Sequence, residues 1–170
     1  MTLAYVALGS NLEQPQQQVR AALAALGHLA GTEMVRHSSL YRTAPVGYAD
    51  QPDFINAVAL LDTALPPHGL LDELLALEQR FGRLRSFRNA PRVLDLDLLY
   101  YDGIFLQDSR LILPHPRMHE RAFVMAPLAE VAGDVELPGV GKVAALAAGL
   151  AGDGIRRLGG DDQSNEQERA

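Results

Sequence analysis

The stretch Arg80 to Tyr101, RFGRLRSFRNAPRVLDLDLLYY, constrains this chain most, because it changes character halfway. Arg80, Arg83, Arg85, Arg88 and Arg92 come first, with no acid among them. Val93 to Tyr101 then alternates, setting Asp95 and Asp97 between Leu94, Leu96 and Leu98. Period-two alternation predicts a β-strand with one buried face. The two aspartates then share one side and the leucines the other. Residues two apart lie about 6–7 Å apart along a strand. Two carboxylates at that spacing can hold Mg²⁺ and leave positions open for water and phosphate oxygens. Arginines beside them supply the positive charge a polyphosphate requires. The pattern points to a Mg²⁺-nucleotide site. An ordinary edge strand with solvated acids beside a solvated basic loop has the same pattern. The chain's single lysine is Lys142, so the choice of arginine reflects general usage here. The contrast favours a site: five cations cluster without acids in a chain of net charge −6.

Length and composition bound the answer. A chain of 170 residues, 48% of them hydrophobic, suits one domain with a sizeable core, taken here as residues 1–158. It has no cysteine, hence no disulfide, thiolate metal site or cysteine nucleophile. The opening MTLAYVALGSN lacks a basic segment, and its apolar run is too short for a signal peptide or membrane span. The acidic balance argues against nucleic acid as the main partner. The polar run GGDDQSNEQERA, 159–170, lacks apolar anchors and is expected to be disordered.

Leu3 to Leu8 reads as a first strand, closed by Gly9-Ser10-Asn11. Asn11 can cap a helix whose first turn accepts Pro15. Val19, Ala22, Leu23, Leu26 and Leu29 then predict an amphipathic helix over about 13–30. Glu33 to Arg42 reads as a second strand, Thr43 to Pro52 as a loop, and Asp53 to Leu61 as a third strand. Asn56 lies in that last apolar run. It is either a strand residue bonded to backbone or an amide that reads a heterocycle edge. Pro66 and Pro67 open a second helix ending near Phe81, and Glu78 near its end suits an arginine partner. With the strand from Val93, the order is β-α-β-β-α-β. The expected fold is therefore α+β: a ferredoxin-like βαββαβ core with an antiparallel sheet, helices on its faces and a C-terminal helical extension. In that extension Arg110 to Leu113 reads as a short strand. Met118 to Val131 reads as a helix kinked at Pro127, and Val143 to Leu150 as a last helix. His115, Arg117, His119 and Arg121 gather near the start of the first of these helices. Pro116 keeps the two histidines off one helix, and His115 can donate to a phosphate.

Five blocks in this order resemble a known family: AYVALGSNL (4–12), SSLYRTAPVG (38–47), DQPDFINAV (50–58), RNAPRVLDLDLL (88–99) and LPHPRMHERAFVMAPLAE (113–130). The family is 6-hydroxymethyl-7,8-dihydropterin pyrophosphokinase, of folate synthesis. It transfers pyrophosphate from ATP to a pterin hydroxymethyl group and leaves AMP. The resemblance implies that Asp95 and Asp97 hold two Mg²⁺ ions, and that Phe54 and Phe123 sandwich the pterin. It implies that Asn56 reads the pterin edge, helped by backbone at Thr43, Pro45 and Val46. It implies a nucleotide shell of Glu78, Arg83, Arg85, Arg92, Leu98, Arg110, Ile112, His115 and Arg121. Arg92, then Arg83, are the catalytic candidates for stabilising charge in the transition state. Attack at a phosphorus needs alignment and charge neutralisation more than a covalent partner, and no Ser-His or Cys-His nucleophile is evident.

The chain departs from the family in places. Asn89 stands where many members have Trp, and the arginine loop is one residue shorter. Ile112 and Pro116 stand where some members have a hydroxyl residue and an aromatic. The expectation is a cytoplasmic monomer acting on ATP and a dihydropterin, with neither nucleic acid nor membrane as partner. Its rivals are an RNA-binding ferredoxin-like module, a small-molecule sensor and a metal-dependent phosphohydrolase. An acidic chain with 6% aromatics suits the first poorly.

Overall fold

The computed structural model describes residues 1–12, 14–44, 52–82, 93–150 and 154–159. Its centre is β1 (Thr2–Ser10), nearly all buried and paired antiparallel on both sides. On one side lies β4 (Phe54–Thr63), and on the other β5 (Asp95–Tyr101). Beyond β4 lie β2 (Thr32–His37) and β3 (Tyr41–Thr43), both paired with it, and β10 (Ile155–Arg157) pairs with β3. The order β10-β3-β4-β1-β5 is antiparallel throughout. It bears out the α+β, ferredoxin-like expectation, with β10 as an added edge.

The expected single strand Glu33–Arg42 is two strands. His37 faces Ala59 and Tyr41 faces Asn56, so Ser38, Ser39 and Leu40 oppose only Ala57 and Val58. Ser38 absorbs the extra residue. Its backbone N–H donates to Val58 O at 2.8 Å, and its hydroxyl accepts the Val58 N–H at 2.9 Å. A side chain thus stands in for a ladder carbonyl.

Two helices cover one face of the sheet. Helix α1 (Pro15–Leu26) presents Val19, Ala22, Leu23 and Leu26, and α2 (Pro67–Gly82) presents Leu70, Leu74 and Leu77. These pack on Val6, Leu8, Ala57, Leu61, Leu96 and Leu98. Burying each leucine fully contributes about 1.5–3 kcal/mol. Helix α1 is shorter than the expected 13–30. Pro15 sits in its first turn, but Gln14 precedes it in a left-handed conformation, φ 60°, and no side chain caps it. Asn11 instead donates to Pro52 O at 3.3 Å.

The opposite face is covered at one end by α3 (Ala122–Ala132) and α4 (Val143–Leu150). The expected helix from Met118 is divided: a 3₁₀ turn holds Met118–Glu120, Arg121 is extended, and α3 follows. Pro127 lies buried inside α3, which runs on past it to Ala132. Short hairpins β6 (Leu106–Gln107) with β7 (Ile112–Leu113), and β8 (Glu136–Leu137) with β9 (Gly141–Lys142), complete the described elements. The register on β1 jumps from Tyr5–Tyr100 to Val6–Leu98, leaving Leu99 as a bulge. Leu99 and Tyr100 therefore both face α3, and the alternation of DLDLL stops there.

Candidate active site

Between the sheet and the start of α3, a cleft of about 730 Å³ opens. Its floor is the strand face opposite α1 and α2. Leu8, Ile55, Leu96 and Leu98 point into the core beneath, so Gly9, Phe54, Asn56, Asp95 and Asp97 point into the cleft. Asn56 is opposite Gly9 on β4, and Asp95 is opposite Gly9 on β5. Asn56, Gly9 and Asp95 thus form one row across three strands. Two strand spacings put the amide and carboxylate positions about 10 Å apart along that row. Asp97 stands one step along, opposite Ala7.

Gly9 is needed for that row. A Cβ there would lie 2.8 Å from Asn56 Oδ1, closer than real contacts allow. The amide is itself fixed, since its Nδ2 donates to the Thr43 hydroxyl at 2.7 Å and both residues are buried. It is a prearranged donor and acceptor facing the cleft.

The roof comes from the 3₁₀ turn and the start of α3: Arg117, Glu120, Arg121, Ala122, Phe123 and Val124. The extended Arg121 carries its guanidinium 5.7 Å from the centre of the Phe123 ring. Phe54 on the floor and Phe123 on the roof line the same space. Gly154 and Ile155 close one side.

His115 hangs on the bulged strand: its N–H donates to Leu99 O at 2.7 Å. Burial, then the positive charges of Arg121 and Arg117, hold its pKa below 6.5, against the pull of Asp97. Its Nδ1 accepts the Arg117 N–H at 3.2 Å. The neutral ring therefore carries its proton on Nε2, as a donor. Glu78 holds α2 to β5, its carboxylate accepting the Leu96 N–H at 2.8 Å.

The structure brings Thr43, Phe54, Asn56, Asp95, Asp97, Arg121 and Phe123 into one cleft. Glu78, Leu98, Arg110, Ile112 and His115 are not among its lining residues. The Leu98 side chain is in the core under α1 and α2. Arg110 pairs with Asp72 of α2 at 2.5 Å, and Ile112 is exposed on β7. Pro45, Val46, Arg83, Arg85, Arg88, Asn89 and Arg92 lie outside the described residues, as does 160–170. Sequence reasoning missed Gly9, Ala44, Glu120, Gly154 and Ile155 as cleft residues, and noted Arg117 without assigning it. Gly9 had a signal: Tyr5, Ala7 and Gly9 shrink stepwise along one strand face. Ile155 had none, because its strand pairs far from its place in the chain.

The metal candidates fit a shared ion rather than a closed cage. Among the described residues no group of three or more histidines, cysteines, aspartates or glutamates gathers to hold one. Asp95 and Asp97 instead line an open cleft on the same face, as suits Mg²⁺ held by two carboxylates and completed by phosphate oxygens. Among the described residues no helix is long and apolar enough to cross a membrane.

Residues 5–133 match the family described as 7,8-dihydro-6-hydroxymethylpterin-pyrophosphokinase. A Haemophilus influenzae protein named 2-amino-4-hydroxy-6-hydroxymethyldihydropteridine pyrophosphokinase is 49% identical over 138 residues, covering 81% of this chain and 86% of its own. A Pseudomonas aeruginosa protein of the same name is 49% identical over 156 residues, covering 92% of this chain and 96% of its own. The fold resembles the crystal structure of Plasmodium falciparum HPPK-DHPS with pteroate, at TM-score 0.74 and 12% identity. That match covers 92% of this chain and 47% of the other, so this chain spans about half of it.

Proposed function

The chain belongs to the 7,8-dihydro-6-hydroxymethylpterin-pyrophosphokinase family, and we propose that it transfers pyrophosphate from ATP to the hydroxymethyl group of 6-hydroxymethyl-7,8-dihydropterin, in folate synthesis. The row Asn56–Gly9–Asp95 carries this reading. It sets a heterocycle-reading amide at one end of a cleft and an acid pair at the other. The bare glycine between them leaves a path for an alcohol to approach a polyphosphate.

In this reading the pterin ring lies between Phe54 and Phe123, where stacking suits a flat ring. Asn56, held by Thr43, pairs with its edge, and backbone at Pro45 and Val46 assists. The pterin oxygen forms a bond to the β-phosphorus of ATP, the bond from that phosphorus to the α-phosphate bridging oxygen breaks, and AMP leaves. The hydroxyl proton passes to solvent water in the same step, and the bond electrons leave on the AMP oxygen. Asp95 and Asp97 would hold two Mg²⁺, which when bound neutralise polyphosphate charge. His115 donates from Nε2 to a phosphate oxygen, and Arg121 faces the same charge. Glu78, Arg83, Arg85 and Arg92 complete the nucleotide shell, with Arg92 and Arg83 stabilising charge that develops at the transferred group. In this reading the chain acts as a monomer. ATP as co-substrate suits the cytoplasm.

The test is to mix the protein with ATP, Mg²⁺ and hydroxymethyl-dihydropterin and follow AMP. AMP that appears only with the pterin supports the transferase. Inorganic phosphate released without pterin would support a phosphohydrolase. Neither product would leave the sensor module.

A further inference from the structure

The family match ends at residue 133, yet one side of the cleft is built later, by β10. We infer that Ile155 is a specificity-determining residue of the heterocycle pocket, mounted on a strand whose anchors hold the pocket rim in place. The inference rests on the pterin reading of the cleft.

Ile155 pairs with Thr43 across the β10–β3 ladder. Directly opposite residues share a sheet face, so Ile155 points to the cleft side with Thr43 and with Phe54, the next residue in that row. Thr43 is the hydroxyl that holds the Asn56 amide. An apolar branched side chain half-buried beside this polar pair limits how wide a ring can sit there.

The strand that carries Ile155 is pinned at both ends. Ahead of it, Gly154 O accepts the Ala44 N–H at 2.8 Å. Gly154 has φ +90°, a conformation that favours glycine, so the chain can turn into the strand at that point. Behind it, Leu158 is almost fully buried, and its N–H donates to Leu40 O at 2.9 Å. Arg157 Nε donates to the Ser39 hydroxyl at 3.0 Å, beside Glu130 of α3. Thr43 and Ala44 both line the cleft, so β10 holds that part of its wall in place.

The experiment compares wild type, Ile155→Val and Ile155→Ala for KM of pterin, KM of ATP, kcat and melting temperature. Removing wall methyl groups from an apolar pocket typically costs tenfold or more in discrimination. The pterin KM should rise about tenfold in Ile155→Ala and less in Ile155→Val, with the ATP KM unchanged. A dihydropterin with one extra ring methyl should gain kcat/KM relative to the parent in Ile155→Ala. An unchanged pterin KM in either variant overturns the inference. So does a parallel rise in both KM values with a lower melting temperature, which would mark β10 as structural only. Loss of wild-type AMP formation would overturn the transferase reading instead, separately from the wall.

Discussion

Replacing Gly9 with alanine tests the row at the centre of the cleft with the smallest possible change. The new Cβ would sit 2.8 Å from Asn56 Oδ1. Apart from Gly9 and its two chain neighbours, atoms of Asn56 are the only ones within 4 Å of it among the described residues. The backbone at Gly9 is ordinary strand, so alanine meets no conformational penalty there and the effect falls on the amide and on the path that the bare glycine leaves open. Asn56 must turn away, and its 2.7 Å bond to Thr43 breaks with both groups buried. Leaving such a pair unsatisfied costs about 1–3 kcal/mol. Spread over a chain of this size, that lowers the melting temperature by roughly 2–4 °C per kcal/mol. The same displacement removes the prearranged edge reader, and 1.4–3 kcal/mol of lost binding is about tenfold to a hundredfold in pterin KM. The ATP KM should stay within about threefold, because the acid pair is not touched; a larger shift would be near the 1.4 kcal/mol that separates tenfold steps. Steady-state kinetics in both substrates, with a thermal melt on each protein, measure all three. A folded Gly9→Ala enzyme with unchanged pterin KM would refute the reasoning, for then the amide is not the reader.

Asp97→Asn should cut turnover by a hundredfold or more and raise the Mg²⁺ concentration giving half-maximal rate, the scale expected for losing preorganised charge; an unaltered Mg²⁺ dependence counts against the acid pair as the metal cradle. Arg92→Ala should lower kcat by about a hundredfold or more with little change in pterin KM, and unchanged turnover removes Arg92 from its role. Glu130→Gln should lower stability at neutral pH, where the wild-type carboxylate accepts bonds from Ser39 and from the Tyr41 hydroxyl at 2.7 Å. Burial opposes ionisation of Glu130, but the Tyr41 and Ser39 bonds and the Arg157 charge outweigh it and hold its pKa below 4.5. The stability gap between wild type and variant is therefore full above 4.5 and should close as pH falls further, through the lowered folded-state value. Denaturant melts at descending pH would show it, and a gap that widens in acid would contradict the ionised reading.

The core of the fold was legible because its signals are local. Period-two alternation named β5, apolar runs bounded by turn residues named β1 and β4, and leucines at i, i+4 and i+7 named α2. The failures share a cause. Ser38 divides a strand because its hydroxyl replaces a carbonyl opposite Val58, and nothing within Glu33–Arg42 announces that partner. Likewise β10 is three residues, Ile155–Arg157, with no alternation of its own. It is a strand only because β3 offers an edge. Arg121 is a break before α3 because the roof of the cleft needs an extended residue there, whereas the apolar spacing from Met118 onward continues undisturbed through it.

The site divides along the same line. Residue types were readable one by one, as an asparagine inside an apolar strand and two aspartates on one strand face, whereas Phe54 and Phe123 came only with the family resemblance. Their row was not readable, because register is a relation between segments far apart in sequence. Leu8 and Gly9 differ by one position, and a one-residue slip of β1 would exchange their faces. Leucine would then stand between Asn56 and Asp95, and glycine would leave a void in the core beneath α1 and α2. Both errors are costly, one to the cleft and one to the packing. The apolar alternation of Ala4, Val6 and Leu8 against the core therefore also places Gly9 in the path between amide and acid. The demand for a well-packed core selects the register, and the register builds the site.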